Sequence, residues 1–285
     1  MMRRIVYLIV AMGLTSGLHA QQAPPTTPRD RDIYCAGTVT RTPPPKDTFI
    51  ISGFESAVKT NFTQGDLVFI NRGSSQGVQV GAEFLVSRHV QEPSAQKWFS
   101  WQSGLMRAMG ETWADIGRIR VMHVDEDTST AQIVQFCEQM HRGDIARPFT
   151  ARPVPNYKPA TKLDIFAPPS GKEMAMVVTT RDFGQTAARG RIVYVNLGSE
   201  QGARVGNYYR IFRYQGDRHS FVYQPPATQR ALVGYGSAPG NWNWENLPRE
   251  ILGEGIVLNI SQNASTVLVT ESLKEIYAGD YVEIE

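Results

Sequence analysis

Short runs of apolar and β-branched residues, separated by glycine, proline and asparagine, recur along the chain after residue 32. Leu67-Val-Phe-Ile70 and Ile192-Val-Tyr-Val195 are two such runs, and each is followed by Asn-x-Gly. Side chains of this kind suit a pleated surface, and Asn and Gly tolerate the positive φ of a following turn. No convincing helical period interrupts the series. The pattern therefore predicts an all-β fold.

The strand pattern occurs twice in the chain. Residues 64–84 and 189–209 are identical at nine of 21 positions without a gap, at a spacing of 125 residues. At this spacing Phe49–Ser52 aligns with Met174–Val177. The ends of the two halves align instead at a spacing of 136 residues, so the second copy has 11 extra residues in its middle. We expect two tandem homologous small β-barrel or β-sandwich domains, each with a long aromatic-bearing loop insertion.

The predicted organisation has five parts. Residues 1–20 have the positive end, apolar core and small-residue exit of a signal peptide, and the apolar core is shorter than the roughly 20 residues that span a bilayer. Residues 21–32 are expected to be a flexible lead and 33–148 the first domain. A Pro-rich linker, 149–167, precedes the second domain, 168–285. These features predict a periplasmic or secreted protein with no membrane-spanning segment in the mature chain.

Charge and cysteine content narrow the class of protein further. Without residues 1–20 the chain has 27 basic and 27 acidic residues and no basic cluster, which argues against a nucleic-acid partner. Cys35 and Cys137 are the only cysteines, and disulfides persist in exported proteins. We expect one bond between them; two unpaired buried thiols are the alternative. Two cysteines alone cannot supply the four ligands of a closed zinc site.

No constellation of catalytic or metal-binding residues is visible in the sequence. There is no Gly-x-Ser-x-Gly nucleophile elbow, and Asp125-Glu126-Asp127 lacks the glycine and terminal glutamate of a calcium loop. The histidines after residue 20 have no ligand-like spacing; they are His89, His123, His141 and His219. We therefore expect no enzymatic activity, no metal and no cofactor.

All five tryptophans lie in the two insertions, at residues 89–115 and 215–250. Aromatic side chains in long loops on a rigid β scaffold are common in partner-binding surfaces, and an indole can also stack on a sugar ring. The alternative is that these rings pack under their own loops or against the scaffold. The candidate partner- or glycan-binding residues are Trp98, Phe99, Trp101, Trp113, Tyr235, Trp242 and Trp244.

The repeated turn pattern resembles a known kind of bacterial domain. A strand, Asn-x-Gly-Ser-x-x-Gly-x-x-Val-Gly, a second strand and a final Gly-Asp recur over Gly65–Asp144 and Gly190–Asp280. This arrangement resembles the C-terminal domain of the flagellar assembly protein T family and, more loosely, the β-barrel domain of the rod-shape protein MreC. The resemblance implies a non-catalytic scaffold or interaction protein of a bacterial cell-envelope assembly, which binds another envelope protein or itself. A cell-wall or glycan-binding module that uses exposed tryptophans is the alternative.

Overall fold

The computed structural model describes residues 25–55, 58–91, 97–159, 161–215 and 247–285. The prediction of an all-β fold is confirmed, since these residues form mainly antiparallel strands. The first half contains a short helix and seven strands in one sheet. They are α1 (Asp30–Tyr34), β1 (Thr38–Thr40), β2 (Ile50–Gly53), β3 (Leu67–Ile70), β4 (Glu83–Val90), β5 (Glu111–Val124), β6 (Ser129–Phe136) and β7 (Ile145–Pro148).

The second half contains a closed six-stranded barrel and a small two-stranded sheet. Between β4 and β5 of the first half lies a second helix, α2 (Gln102–Met109). The strands of the second half are β8 (Met174–Thr180), β9 (Thr186–Ala187), β10 (Ile192–Val195), β11 (Tyr208–Arg213), β12 (Glu250–Ile260), β13 (Ser265–Ser272), β14 (Ile276–Tyr277) and β15 (Tyr281–Ile284). The barrel order is β10-β13-β12-β11-β15-β8, and β9 pairs with β14.

The two halves have the same strand order. The first sheet runs β2-β3-β6-β5-β4-β7, with β1 added to β5, and an isolated bridge from Phe49 to Ile145 connects its two ends. In the second half the corresponding strands, β8 and β15, pair over three residues and close the barrel. Common strand order is what a duplicated unit would produce, and the homology of the two halves stays a prediction from the sequence.

The register corrects one part of the sequence alignment. Ile50 pairs with Ile70 and Gly53 with Val68, whereas Val177 pairs with Val195 and Thr180 with Val193. Strand β2 therefore matches β8 at a spacing of 127 residues, not 125, and Phe49 corresponds to Met176 rather than to Met174. The ungapped extension from residue 64 back to residue 49 was wrong because the loop between β2 and β3 is two residues longer than its counterpart.

The repeated Asn-x-Gly-Ser segment builds the loop that holds a hairpin tip. The amide groups of Ser74 and Ser75 donate to the carbonyls of Asp125 and Glu126, in the turn between β5 and β6. A Cβ atom on Gly73 would lie 2.4 Å from the Glu126 carbonyl oxygen, so only glycine permits this approach. The same contacts recur from residues 198–200 to residues 261–262 in the second half. The motif is therefore a structural element of the turn.

Each half has its own apolar interior. The inward-facing residues of β3, β5 and β6 include Val68, Ile119 and Ile133, and those of β10, β12 and β13 include Val193, Val257 and Val269. All six are at most 1% exposed. Because successive side chains of a strand point to opposite faces, the intervening side chains lie on the outer face of each sheet.

Candidate functional site

The first insertion contains a helix that the sequence pattern did not predict. Residues 102–109 are rich in good helix formers, and the helix ends at Gly110, which has a φ of 110°. Eight residues give only two turns, too few to display a clear period in the sequence. Packing of the apolar side of α2 against the second barrel provides the stability that such a short helix lacks on its own.

The first insertion covers the outer face of β8 and β10. Val178 and Tyr194 on this face are buried against Met109, Leu105 and Met106 of α2. Further along β8, Met176 packs with Phe99 and Trp98. The aromatic and methionine side chains of one half therefore bury a sheet face of the other half.

Hydrogen bonds fix the position of the insertion on this face. The side chain of Gln102 is 1% exposed; its amide nitrogen donates to the Val178 carbonyl at 2.9 Å, and its oxygen accepts from the Trp98 amide at 2.8 Å. The indole nitrogen of Trp98 donates to the Phe183 carbonyl at 3.3 Å. Because the Gln102 amide group and the Trp98 indole nitrogen both have partners across this contact, the contact favours one orientation of the insertion.

The N-terminal arm, residues 30–40, lies between the two halves. The predicted disulfide between Cys35 and Cys137 is present and ties the arm to the first sheet. On the other side the Tyr194 hydroxyl donates to the Ala36 carbonyl at 3.0 Å, and Thr266 donates to the Gly37 carbonyl at 3.2 Å. Burial raises the pKa of Tyr194 well above its ordinary value of 10, so the hydroxyl stays protonated and keeps donating.

The candidate aromatic residues of the first insertion differ in how far they are buried. Phe99 and Trp113 are 4% and 3% exposed, and Trp98 is partly buried against the second barrel. Their rings therefore pack inside the protein, as the alternative interpretation of the sequence foresaw. Trp101 is 58% exposed. The candidates of the second insertion, Tyr235, Trp242 and Trp244, lie outside the described residues.

An exposed apolar face in the first half corresponds to the covered face in the second. Phe49 and Ile51, which match Met176 and Val178, are 36% and 39% exposed. Beside them Phe54, at 52% exposed, stacks on Phe69 of β3 with ring centroids 5.2 Å apart. We call Phe49, Ile51, Phe54 and Phe69 the β2–β3 face. Sequence reasoning missed this face, although outward apolar residues at alternate strand positions were a usable signal.

Two equivalent ion pairs, one in each half, were not predicted from the sequence. Arg88 holds Asp144 through two contacts of 2.7 Å, and Arg213 holds Asp280 in the same way. Each aspartate also accepts a backbone amide three residues earlier, from His141 or Tyr277. Burial raises the pKa of Asp280, and the Arg213 guanidinium opposes that rise. These pairs fasten the last turn of each half and have the geometry of structural contacts.

The described part of the chain contains neither a metal-ligand cluster nor a helix suited to crossing a membrane. No three His, Cys, Asp or Glu side chains come together in an arrangement that could hold a metal ion. Among the same residues, no helix has the length and apolar character needed to cross a membrane.

Comparison with known proteins assigns this chain to no family. No protein-family model matches this chain, and a search of curated proteins finds no match.

Proposed function

We propose that this chain is an exported, non-catalytic interaction protein of a bacterial cell-envelope assembly, in which copies join through the β2–β3 face. The observation that carries the proposal is the contact inside the chain. The first insertion buries the outer face of β8 and β10, while the corresponding face of β2 and β3 is exposed and apolar.

The occupant that fits the β2–β3 face is a second copy of this chain. The two insertions connect equivalent strands of the two halves. The first lies between β4 and β5, where Arg88 pairs with Ala114, and the second lies between β11 and β12, where Arg213 pairs with Glu250. In sequence, the second insertion has tryptophans as the first one does. Within one chain, the first insertion of one half covers the outer face of β8 and β10 in the other half. If the equivalent contact formed between two copies, the second insertion of one copy would contact the β2–β3 face of the next.

Such a contact joins two different surfaces, so it is heterologous. Interfaces of this kind produce rings when the rotation closes and filaments when it does not. The disulfide supports export, because such bonds persist mainly in oxidising compartments. The envelope role rests on the resemblance of the turn pattern to envelope proteins and on the signal-like character of residues 1–20.

Sedimentation of residues 21–285 over a range of concentrations tests the proposal. We expect the wild-type mass to rise with concentration and Ile51→Asp to remain monomeric. Met122→Asp is the matched control, because Met122 is an apolar strand residue at 52% exposure away from the β2–β3 face. Replacement of residues 216–246 by a short Gly-Ser turn should also abolish association.

Several results would overturn the assignment. A wild-type protein that stays monomeric at the highest attainable concentration contradicts self-assembly, as does Ile51→Asp with unchanged association. Co-sedimentation with purified cell wall that is lost in Trp101→Ala but kept in Ile51→Asp would favour the glycan-binding alternative instead.

A further inference from the structure

A cleft of about 460 Å³ lies between the outer face of the first sheet and the second barrel. Its floor is formed by β4, β5 and β7 and its walls by residues 148–153 and by residues 259–262, at the turn between β12 and β13. This volume lies in the range of small-molecule sites, which are common at junctions between folded units. No sequence motif indicated it, because its residues come from distant parts of the chain.

Three hydrogen-bond donors line the floor of the cleft. The Ser87 hydroxyl and the Trp113 indole nitrogen are buried and have no hydrogen-bond partner, and their residues are 1% and 3% exposed. Arg147 has no hydrogen bond or ion pair among the described residues. All three residues lie on the same face of the sheet. Arg147 pairs with Leu85, which shares a face with Ser87 two residues along β4; Ser87 pairs with Asp115, which shares a face with Trp113 two residues along β5. Unpartnered buried donors are costly unless something occupies the site.

The charge around the floor is positive. Asp115 is nearby, but both its oxygens accept from Arg152, at 2.7 and 2.8 Å, and one also accepts the Gly37 amide. The Lys46 ammonium lies 5.4 Å from the Trp113 ring centroid. Burial lowers the pKa of Arg147, Asp115 opposes that shift, and Arg152 adds to it. The residues that line the cleft include two arginines and no carboxylate.

The second barrel shows what fills the equivalent place there. At a spacing of 136 residues, Arg147 corresponds to Glu283 and Trp113 to Arg249, and the pairing of Leu85 with Arg147 matches that of Arg210 with Glu283. The Glu283 carboxylate is 1% exposed and is held by Arg249 at 2.7 and 2.8 Å and by Arg210 at 3.2 Å. There the chain supplies its own carboxylate. In the first half Arg147 makes no ion pair among the described residues, and both oxygens of the nearby Asp115 are bound by Arg152.

We propose that this cleft binds a small organic carboxylic acid. Its carboxylate would pair with the Arg147 guanidinium and accept hydrogen bonds from Ser87 and Trp113. Its apolar part would lie against Leu85, Pro148 and Pro153, which also line the cleft.

Isothermal titration of residues 21–285 with benzoate, glutarate and inorganic phosphate tests the site. We expect saturable binding of at least one carboxylate, weakened about 10-fold or more by Arg147→Gln, since a hydrogen bond to a charged group is worth about 1.5–3 kcal/mol. Trp113→Phe keeps the ring but removes the donor and should also weaken binding. Arg120→Gln makes the same charge change at a side chain that is 52% exposed and should bind like the wild type.

The indole NMR signal of Trp113 provides a second measurement. It should shift on carboxylate addition in the wild type and stay unshifted in Arg147→Gln, whose other signals would show that the variant is folded. The proposal is wrong if neither carboxylate binds, if Arg147→Gln binds equally well, or if phosphate binds more tightly than both carboxylates.

Discussion

Truncation of Phe99 to alanine is the sharpest test of how the two halves are joined. The ring is 4% exposed and packs with Met176 and Ala278 of the second half. Removing a buried phenylalanine ring costs about 3–5 kcal/mol, because the transfer free energy is lost and a cavity remains. Here the cavity would lie between the insertion and the second barrel. We therefore expect Phe99→Ala to weaken the junction by about this amount while both apolar interiors stay intact.

Urea denaturation followed by far-UV circular dichroism and by tryptophan fluorescence would measure the loss. Tryptophan fluorescence, to which Trp98 of the same cluster contributes, should report an earlier transition in the variant. Trp101→Ala is the matched control, because this ring is 58% exposed and two residues away; its loss should be about 1 kcal/mol or less. Equal losses in the two variants, or a loss below about 1 kcal/mol in Phe99→Ala, would refute the docking of the insertion.

Three further predictions follow from the contacts described above. Replacing both Cys35 and Cys137 by serine opens a loop of 102 residues and should lower the free energy of unfolding by about 4–5 kcal/mol, measured against the oxidised wild type; equal stability would contradict a role for the bond. Burial alone would raise the pKa of Glu283, but hydrogen bonds from Arg249 and Ser170 and the charges of Arg249 and Arg210 hold this pKa below its ordinary value of 4.5. The ionised Glu283 therefore stabilises the fold above pH 4.5, and this stabilisation is lost as the pH falls below 4.5. Glu283→Gln should reduce this acid dependence of the melting temperature, whereas Glu200→Gln, at an exposed position, should leave it unchanged. Gly198→Ala would place a Cβ atom 2.4 Å from the Gln262 carbonyl and should cost about 1–3 kcal/mol in urea denaturation, whereas Gly184→Ala, whose nearest contact is a side-chain oxygen at 3.4 Å, should cost less.

The sequence was informative wherever structure depends on near neighbours. Leu67–Ile70 and Ile192–Val195 are strands, and Gly77 and Gly202, both with a φ of 81°, end the repeated turns. The pairing of Cys35 with Cys137 was predicted from the cysteine count and from the expectation of export, and the bond is present. Helix α2 was missed, because its stability comes from packing on a distant strand and its two turns are too short to show a period.

The all-β class, the repeated turns and the disulfide could be predicted from the residues alone, because strand alternation, glycine placement and cysteine number are local or compositional properties. Which aromatic rings are buried depends on contacts between the two halves, and no local pattern in the sequence reports those contacts. Phe99 and Trp101 are two residues apart and both aromatic, yet Phe99 packs on the second barrel at 4% exposure and Trp101 is 58% exposed. Arg147 and Arg249 differ for the same reason. Arg249 binds the carboxylate of Glu283 and Arg147 makes no ion pair among the described residues, because the partners of an arginine come from strands that are far apart in sequence.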